Sequence, residues 1–424
     1  MKPVPDSHRP ARETRQPFAG DLVDVRIERI VYGGAGLAHV EGRALLVPFA
    51  APGDRLSVRV DLAAKAGKVL QGSIELVLEA SPTRTEPACR HFRVCGGCHF
   101  QHLSRETELG VKREFLRDCL RRIGGIRWDA EIEIASGPEY GWRSRVGLHV
   151  LREAGAPPRV GFFRAGSRDL VPITDCPVLV PPLRDLVQRF ASDPASIPSG
   201  VGEIDLVAGD GGELGASPAL PLGGTEGGST EARSAPGGRV RQNIAGFDFT
   251  FEAGTFSQGN RPLVESLVLR TVDGARGATA VDLYAGSGLF SLALARRFEI
   301  VHAVEADPTA VRVGLENARA NGIENVRWHD VGVGEWLASG DRSLQPDLVL
   351  LDPPRTGAGP GVVEGILDLG PRAVTYVSCD PATWARDLRR FVERGYAIRS
   401  IEALDMYPRS YHVESIARLT PLES

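Results

Sequence analysis

The chain has 424 residues, a formal net charge of −4 and 42% hydrophobic residues, which is long enough for two or three domains with apolar cores. It contains no apolar run of about 18 residues and begins with a polar segment, so the sequence predicts neither a membrane span nor a secretion signal. A cytoplasmic monomer is the default expectation. The first 180 residues carry a slight basic excess and the rest an acidic one. This charge pattern fits a polyanionic partner such as RNA about as well as a solvated surface.

Residues 17–80 are predicted to form a small β domain. Short β-rich runs are separated by turns such as Gly33-Gly34 and Pro52-Gly53-Asp54. Four or five short strands in so few residues favour an OB-like barrel, an architecture that often binds oligonucleotides. A purely structural barrel is the alternative.

Clustered cysteines predict a metal site. Cys89, Cys95 and Cys98 follow the spacing Cys-x5-Cys-x2-Cys, and Cys176 stands alone further along the chain. In a chain of this length without a secretion signal, a disulfide framework is not expected. Four thiolates suit zinc or an iron–sulfur cluster. Because a second Cys-x2-Cys pair, usual in zinc ribbons, is missing from the sequence, the spacing favours a [4Fe-4S] cluster, whereas Cys119 is predicted to be a core residue.

Residues 81–250 are predicted to form an α+β central domain. We expect a basic amphipathic helix at 101–124 and strands at 142–150 and 159–164. On the first of these strands, Arg143 and Arg145 are candidates for contacts with RNA phosphates, with an ordinary surface strand as the alternative. The Gly- and Ser-rich stretch 209–238 is predicted to be a disordered loop, because it has too few large apolar residues to offset the entropy of ordering it.

Residues 251–424 alternate strand and helix patterns, which predicts a doubly wound, mainly parallel α/β sheet. The first predicted strand, 279–284, leads into the turn Gly286-Ser287-Gly288. Its glycines allow backbone N–H groups and a helix N-terminus to approach a ligand. Ligands of such sheets bind outside the carboxyl ends of the strands, so this turn is a candidate nucleotide site.

Polar residues follow the later strands of this predicted sheet. Glu305 follows the second strand, where a carboxylate can accept ribose hydroxyls, and Asp330 after the third could contact adenine. Asp352 after the fourth begins an Asp-Pro-Pro-Arg motif. A full Gly-x-Gly-x-x-Gly loop is absent, which favours S-adenosylmethionine over NAD. Cys379 follows the fifth strand, where a thiol facing the cofactor cleft is placed as a nucleophile.

With these motifs the chain resembles the TrmA/RumA-type family of S-adenosylmethionine-dependent RNA 5-methyluridine methyltransferases. The segment from Gly33 to Asp54 resembles a TRAM domain, an RNA-binding module. The other motifs that carry the resemblance are Cys-x5-Cys-Gly-Gly-Cys with Gln101-His102, Phe256-Ser-Gln-Gly-Asn260, Asp282-Leu-Tyr-Ala-Gly-Ser-Gly-Leu-Phe290, Leu351-Asp-Pro-Pro-Arg-Thr-Gly357, Ser378-Cys-Asp-Pro-Ala-Thr383 and Asp405-Met-Tyr-Pro-Arg-Ser-Tyr-His-Val-Glu414.

The resemblance implies a Rossmann-like class I methyltransferase domain at 251–424, preceded by the TRAM-like barrel and the central domain. It implies that an RNA uridine is methylated at C5, with ribosomal RNA favoured over transfer RNA, that Cys379 is the nucleophile and that Glu414 is the base. Carried over by position, the remaining residues are Gln258, Tyr284, Gly286, Gly288, Leu289, Glu305, Asp330 and Asp352 for the cofactor, Phe256 and Asp352 for the target base, and Cys89, Cys95, Cys98 and Cys176 for the cluster.

Several departures from the family pattern and several rival functions stay open at the level of sequence. The Gly-rich stretch is an insertion, and Leu289 and Asp330 stand where some members carry amides. Asp380 stands where the family usually has Asn, which is expected to raise the pKa of Cys379 unless hydrogen bonds hold that carboxylate. The main alternatives are an RNA cytosine-5 methyltransferase, which usually needs a cysteine near Asp352-Pro353-Pro354, and a non-catalytic iron–sulfur RNA-binding protein. An amino-methyltransferase would need an aromatic residue in place of Arg355. A radical S-adenosylmethionine enzyme would need Cys-x3-Cys-x2-Cys.

Overall fold

The computed structural model describes residues 19–63, 69–220, 222, 236–339 and 344–422. The chain divides into two compact units, Met1–Glu86 with His102–Ser104, and Pro87–Gln101 with Arg105–Ser424. In the described ranges, none of the helices combines the length and the apolar character that a membrane span needs. The predicted division of the second unit at residue 250 stays a prediction.

The first unit is a six-stranded sheet that confirms the predicted OB-like fold. The strand order is β1-β5-β6-β4-β3-β2, with β4 and β6 parallel and the other neighbours antiparallel. Side chains such as Leu56 and Val58 alternate into its apolar core. A Cβ atom at Gly72 would lie 2.5 Å from Val58 Cγ1, so glycine lets two strands approach there. The strands are β1 (Leu22–Arg26), β2 (Arg29–Ile30), β3 (Ala35–Val40), β4 (Arg43–Pro48), β5 (Arg55–Ala63) and β6 (Val69–Glu79).

The second unit begins with the predicted amphipathic helix and a five-stranded antiparallel sheet of order β10-β9-β8-β11-β12. A separate hairpin, β13–β14, follows it. The elements are α1 (Arg105–Arg122), β7 (Ile134–Ala135), β8 (Arg145–Leu151), β9 (Arg159–Phe163), β10 (Leu170–Pro172), α2 (Pro181–Ser192), β11 (Glu203–Ala208), β12 (Leu214–Ser217), β13 (Arg239–Ile244) and β14 (Phe247–Glu252).

The prediction that residues 209–238 form a disordered loop is wrong for part of this segment. Leu214–Ser217 forms β12, which pairs with β11, and Leu214 and Ala216 are buried in the apolar core of this sheet. Two inward-facing side chains suffice for a short edge strand, although the average composition of the segment is polar. Residues 221 and 223–235, which the prediction also covered, lie outside the described residues.

The remainder forms an eight-stranded sheet of order β17-β16-β15-β18-β19-β21-β20-β7, which confirms the predicted doubly wound α/β fold. Neighbours from β17 to β19 are parallel, whereas β21 is antiparallel to both β19 and β20. The elements are α3 (Val264–Thr271), β15 (Gly277–Leu283), α4 (Leu289–Ala295), β16 (Phe298–Glu305), α5 (Pro308–Ala320), β17 (Val326–Asp330), α6 (Val333–Ser339), β18 (Leu348–Leu351), α7 (Val362–Leu369), β19 (Ala373–Ser378), α8 (Pro381–Glu393), β20 (Tyr396–Leu404) and β21 (Glu414–Pro421).

The strand order reverses between β15 and β18. From β15 the chain proceeds outward to β16 and β17, and it then returns to place β18 on the other side of β15. In doubly wound sheets such a switch point leaves a crevice outside the carboxyl ends of the two central strands. The fold therefore puts the ends of β15 and β18 at the position where a ligand binds.

Candidate active site

The turn after β15 has the backbone geometry that the sequence predicts. Gly286 has φ +55° and Gly288 has φ +91°, and Gly288 is the N-cap residue of α4. A Cβ atom at Gly288 would lie 2.9 Å from Leu292 Cδ1 and 3.0 Å from the Trp328 ring. Both the left-handed conformation and the crowding therefore favour glycine at this position.

Tyr284 connects this turn to the loop that follows β18. Leu283 and Leu351 are paired in the parallel register of β15 and β18, so Tyr284 and Asp352 leave the same edge of the sheet. Tyr284 has φ +63°, and its hydroxyl donates a hydrogen bond of 2.5 Å to the Ala358 carbonyl. The positive φ of a non-glycine residue indicates a position fixed by its surroundings.

Glu305, at the end of β16, is held by three backbone donors. Its Oε2 accepts the Gly286 N–H at 2.9 Å, and its Oε1 accepts the N–H groups of Ala306 and Asp307 at 2.8 Å each. A carboxylate has about four acceptor sites, so this group keeps capacity for a ligand hydroxyl. Asp330 pairs with Glu305 across β16 and β17 and is exposed.

Three carboxyl groups, of which Asp282 and Glu414 are buried and Asp352 is partly buried, lie on β15, after β18 and on β21, at the carboxyl edge of the parallel strands. Burial raises the pKa of Asp282 to about 7, and the Ser291 hydroxyl donates to its Oδ2 at 2.5 Å. Burial also raises the pKa of Asp352. Glu414 is 1% exposed, and burial, followed by the charge of Asp352, raises its pKa well above the ordinary value. Neither carboxyl oxygen of Glu414 has a hydrogen-bond partner in the described part of the chain.

Cys379 lies opposite Glu414. Ser378 pairs with Ser415 in the antiparallel register of β19 and β21, and the next position places Cys379 across from Glu414. Burial raises the pKa of the Cys379 thiol to about 12, with further contributions from Glu414 and Asp352, whereas Arg355 opposes the shift. The thiol therefore faces negative charge.

Asp380, one of the residues that depart from the family pattern, is held by hydrogen bonds at the start of α8. It caps this helix by accepting the N–H groups of Ala382 at 3.0 Å and Thr383 at 2.9 Å. Its charge contributes to the raised pKa of Cys379, but after burial, Glu414 and Asp352. The expected effect is thus present, and it ranks below burial, Glu414 and Asp352.

The four candidate cluster cysteines line one cavity of about 230 Å³. All four are free thiols, and burial raises the pKa of Cys98 to about 11 and that of Cys176 to about 12. Neighbouring cysteines add to both shifts, and Arg143 opposes them. Across the described ranges, no group of three or more ligating side chains is close enough to hold a single metal ion.

Comparison with known proteins identifies the chain. The tRNA (Uracil-5-)-methyltransferase family matches residues 240–420, and the TRAM domain matches residues 18–74. The 23S rRNA (uracil(1939)-C(5))-methyltransferase RlmD of Pseudomonas entomophila strain L48 is 34% identical over 423 residues, which cover 92% of each chain. The protein of the same name from Alkalilimnicola ehrlichii is 33% identical, covering 96% of this chain and 97% of the relative. The chain belongs to the RNA uracil-5 methyltransferase family.

A solved structure supports the fold of this methyltransferase. The tRNA (uracil-54, C5)-methyltransferase of Pyrococcus abyssi, in complex with S-adenosyl-L-homocysteine, superimposes with a TM-score of 0.70. It is 23% identical and covers 94% of this chain and 99% of its own. The predicted class I methyltransferase fold is confirmed, and S-adenosylmethionine is the methyl donor of this enzyme class. The family assignment also removes the alternative of a non-catalytic protein and that of a cytosine-5 methyltransferase.

The predicted RNA-contacting residues of the methyltransferase occupy different environments. Phe256 is 68% exposed, whereas Gln258 is buried two residues later. Arg145 contacts the Thr255 carbonyl and lies 3.1 Å from Asp205, and Arg143 Nε donates to the Arg145 carbonyl at 2.8 Å. Arg143 also lines the cysteine cavity. The contacts of both arginines with phosphate stay predictions.

Two residues near the reacting groups were missed by the sequence analysis. Burial, and after it the nearby charges of Glu414 and Cys379, raise the pKa of the Tyr407 phenol well above the ordinary value. Arg355 opposes the raised pKa of both Cys379 and Glu414. Both residues stand inside the motifs that carry the family resemblance, but only the folded structure shows that they lie near the reacting groups.

Proposed function

We propose that this methyltransferase acts on C5 of a uridine in 23S ribosomal RNA. The observation that carries the proposal is the similarity, over nearly the whole chain, to relatives named as 23S rRNA uracil-C5 methyltransferases. The match to the TRAM domain supports an RNA substrate. Transfer RNA is the second candidate, because the matching family and the Pyrococcus abyssi enzyme both carry transfer RNA in their names.

Cys379 is proposed to activate the uracil ring as a nucleophile. Uracil C5 is a weak nucleophile, and addition of the Cys379 thiolate to C6 converts it into the carbon of an enolate. The Cys379 Sγ–C6 bond forms, the C5–C6 double bond is lost, and C5 displaces the methyl group from the sulfonium of S-adenosylmethionine. Cys379 follows β19 at the same carboxyl edge of the sheet as the glycine turn that follows β15, which supports this role.

Glu414 is proposed to complete the reaction as the base. Its carboxylate takes the proton from C5, the C5–C6 double bond re-forms, and the Cys379 Sγ–C6 bond breaks. A carboxyl group with a raised pKa holds such a proton better than an ordinary one. Its lack of hydrogen-bond partners in the described part of the chain also leaves both oxygens available for substrate.

The target base has to leave its stack to reach Cys379. A solvent-exposed aromatic ring can stack on an unpaired base, and Phe256 is the exposed candidate beside the buried Gln258. Asp352, at the end of β18, is proposed to contact both the cofactor and the base. For the cofactor we propose Gln258, Tyr284, the Gly286–Gly288 turn with Leu289, Glu305 for the ribose, and Asp330 for the adenine.

The four cysteines are proposed to bind a [4Fe-4S] cluster. A tetrahedral zinc ion keeps its sulfur ligands about 3.8 Å apart, given a Zn–S distance near 2.3 Å. A cluster needs a wider arrangement, and four free thiols around a cavity of about 230 Å³ are compatible with that. Arg143 would offset part of the negative charge of the thiolates.

From the roles proposed above, we assign residues 17–80 to RNA binding, residues 81–250 to binding of the cluster and RNA, and residues 251–424 to methyl transfer.

The roles of the two reacting residues are tested together. Glu414→Gln should trap a covalent RNA adduct that survives a denaturing gel, and Cys379→Ala should abolish turnover but keep cofactor affinity. Normal methylation by the Cys379→Ala protein would refute the nucleophile. Mapping of 5-methyluridine in ribosomal and transfer RNA, with and without this gene, tests the substrate, and loss of the mark from transfer RNA alone would refute the ribosomal assignment.

The cluster is tested by metal analysis. Anaerobically purified protein should contain iron and acid-labile sulfide, and Cys176→Ser should lower both. Cys119→Ser is the matched control, because Cys119 is buried in α1 and is not among the cavity residues. Stoichiometric zinc without iron would overturn the assignment.

A further inference from the structure

The segment that precedes Glu414 is buried but has no regular structure. Residues 405–413, here called the 405–413 loop, join β20 to β21. Asp405, Met406 and Val413 are buried, and Tyr407 lies within electrostatic reach of Cys379 and Glu414. Since the Glu414 carboxyl has no hydrogen-bond partner in the described ranges, its position depends on the backbone that carries it. Glu414 is the first residue of β21 and pairs with Leu404 at the end of β20, so the loop closes this strand pair directly beside the proposed base. What fixes the loop therefore bears on the end of the strand that carries Glu414.

Helix α1 supplies a fully buried lysine to this loop. Lys112 has no exposed side-chain surface, and its ammonium group donates to Glu108 Oε1 at 2.9 Å, to Asp405 Oδ1 and to the Tyr407 carbonyl at 3.1 Å. A lysine has three N–H donors, and all three are used. A buried ammonium group is costly unless it is paired in this way, so an apolar residue would be expected if packing were the only requirement.

Glu108, one turn earlier on α1, holds the middle of the loop. Its Oε1 accepts the Arg409 N–H at 2.7 Å, and the Arg409 guanidinium lies 3.4 Å from its Oε2. Arg409 has φ +67°, a left-handed conformation that is unfavourable for a non-glycine residue. The contacts with Glu108 stabilise this conformation.

The same loop is tied to the cysteine segment. The Arg409 carbonyl accepts the N–H groups of His99 at 2.8 Å and Phe100 at 3.0 Å, the two residues after Cys98. From a third direction, the Asn260 amide donates to the Met406 carbonyl at 3.0 Å. The charged contacts from α1 thus act on a loop that also contacts the cysteine segment and the segment that follows Gln258.

We propose that Lys112 is a positioning residue for proton removal by Glu414. Through Asp405 and the Tyr407 carbonyl, and together with Glu108, it sets the backbone of the 405–413 loop and hence the place of Glu414 opposite Cys379. The inference rests on the proposed role of Glu414 as base. Its signature is specific, because a displaced base slows the release of Cys379 from the methylated ring more than it slows the formation of the adduct.

Lys112→Met tests this in the full-length protein, with the RNA substrate and S-adenosylmethionine. The substitution keeps the length of the side chain and removes its three donors. We expect kcat to fall about 10- to 100-fold, as misplaced catalytic groups generally cause. The KM for RNA and the affinity for S-adenosylhomocysteine should stay unchanged, and a methylated covalent adduct should accumulate on a denaturing gel. Arg117→Met on the same helix, which removes only a partly exposed contact with Glu114, should show neither effect.

A second variant keeps the test decisive if Lys112→Met does not fold. Asp405→Asn preserves the shape of the side chain and its acceptor oxygen but removes its charge, and it should accumulate the same adduct to a smaller extent. A fall in kcat without adduct, or a raised KM alone, would overturn the inference. Failure of both variants to fold would overturn it too, because the role of these charged residues would then be to stabilise the fold. If Glu414→Gln itself forms no adduct, the proposed mechanism fails instead.

Discussion

The charge of the cofactor should control the reactivity of Cys379. The thiol pKa is raised from about 9 to about 12 by burial and by Glu414 and Asp352. In the proposed mechanism the sulfonium of S-adenosylmethionine has to come close to this thiol, because its methyl group is transferred to C5 while the thiol sulfur is bonded to the adjacent C6. A positive charge at that distance from a forming thiolate lowers its pKa. The bound cofactor is therefore expected to activate the nucleophile.

The size of the effect follows from the shift. Three pKa units correspond to about 4 kcal/mol and to roughly 1,000-fold less thiolate at a given pH. Two charges about 5 Å apart interact by about 3 kcal/mol at an effective dielectric constant near 20. A cationic cofactor can thus offset most of the pKa shift, whereas S-adenosylhomocysteine, with a neutral sulfur, cannot.

The assay is alkylation of Cys379 by iodoacetamide, followed by peptide mass spectrometry over a series of pH values. The protein is saturated either with S-adenosylhomocysteine or with an analogue of the same shape that carries an amine in place of the methylated sulfur. We expect alkylation of Cys379 to be roughly 100-fold faster with the cationic analogue at neutral pH, with the difference vanishing at high pH. Equal rates with both ligands would refute the electrostatic argument.

Three further predictions concern single side chains. Because burial raises the pKa of Asp282 to about 7, its ionisation costs stability as the pH rises from about 4 to about 7. Asp282→Asn should therefore stabilise the protein in alkaline buffer, by at most about 4 kcal/mol in free energy of unfolding, and so raise its Tm. This gain should shrink toward pH 4. An equal gain at both pH values in calorimetry would contradict the raised pKa of Asp282. Glu305→Ala should lower the affinity for S-adenosylhomocysteine about 10- to 100-fold by titration calorimetry, whereas unchanged affinity would remove Glu305 from the site. Phe256→Ala should lower kcat/KM for RNA, because the lost stacking of a base on this ring is worth about 1–3 kcal/mol of transition-state stabilisation. Because the Phe256 ring is exposed, the Tm of the variant protein should equal that of the unchanged protein. A large loss of Tm would indicate that the ring packs against the core instead.

The α/β sheet was predictable because its signals are local. Parallel strands buried on both faces appear as short apolar runs, and each run ends at a residue that the fold places on one edge. The positions of Glu305, Asp352 and Cys379 could therefore be predicted from the sequence, as could the glycine turn between β15 and α4. The strand β12 could not, since only Leu214 and Ala216 separate it from a polar loop.

The residues around the reacting groups were harder to predict because they come together from distant parts of the chain. Lys112 and Asp405 are 293 positions apart, and in the sequence Lys112 is one more basic residue of an amphipathic helix. Nothing local distinguishes it from Arg113 or Arg117. Arg145 is a further example. The strand pattern of the sequence predicts that its side chain contacts phosphate, but this pattern does not reveal that the guanidinium pairs with Asp205.

The acidic surroundings of Cys379 fit the order of the proposed steps. While the sulfonium is present, its charge favours both the Cys379 thiolate and the ionised form of Glu414. Methyl transfer removes that charge, so the pKa of Glu414 returns to its raised value at the moment when this group has to accept the C5 proton. Protonation then neutralises Glu414, which is the charged group that most opposes the thiolate, and departure of Cys379 from C6 becomes more favourable. A neutral or basic pocket would assist thiolate formation but would lose this coupling between proton removal and release of the nucleophile.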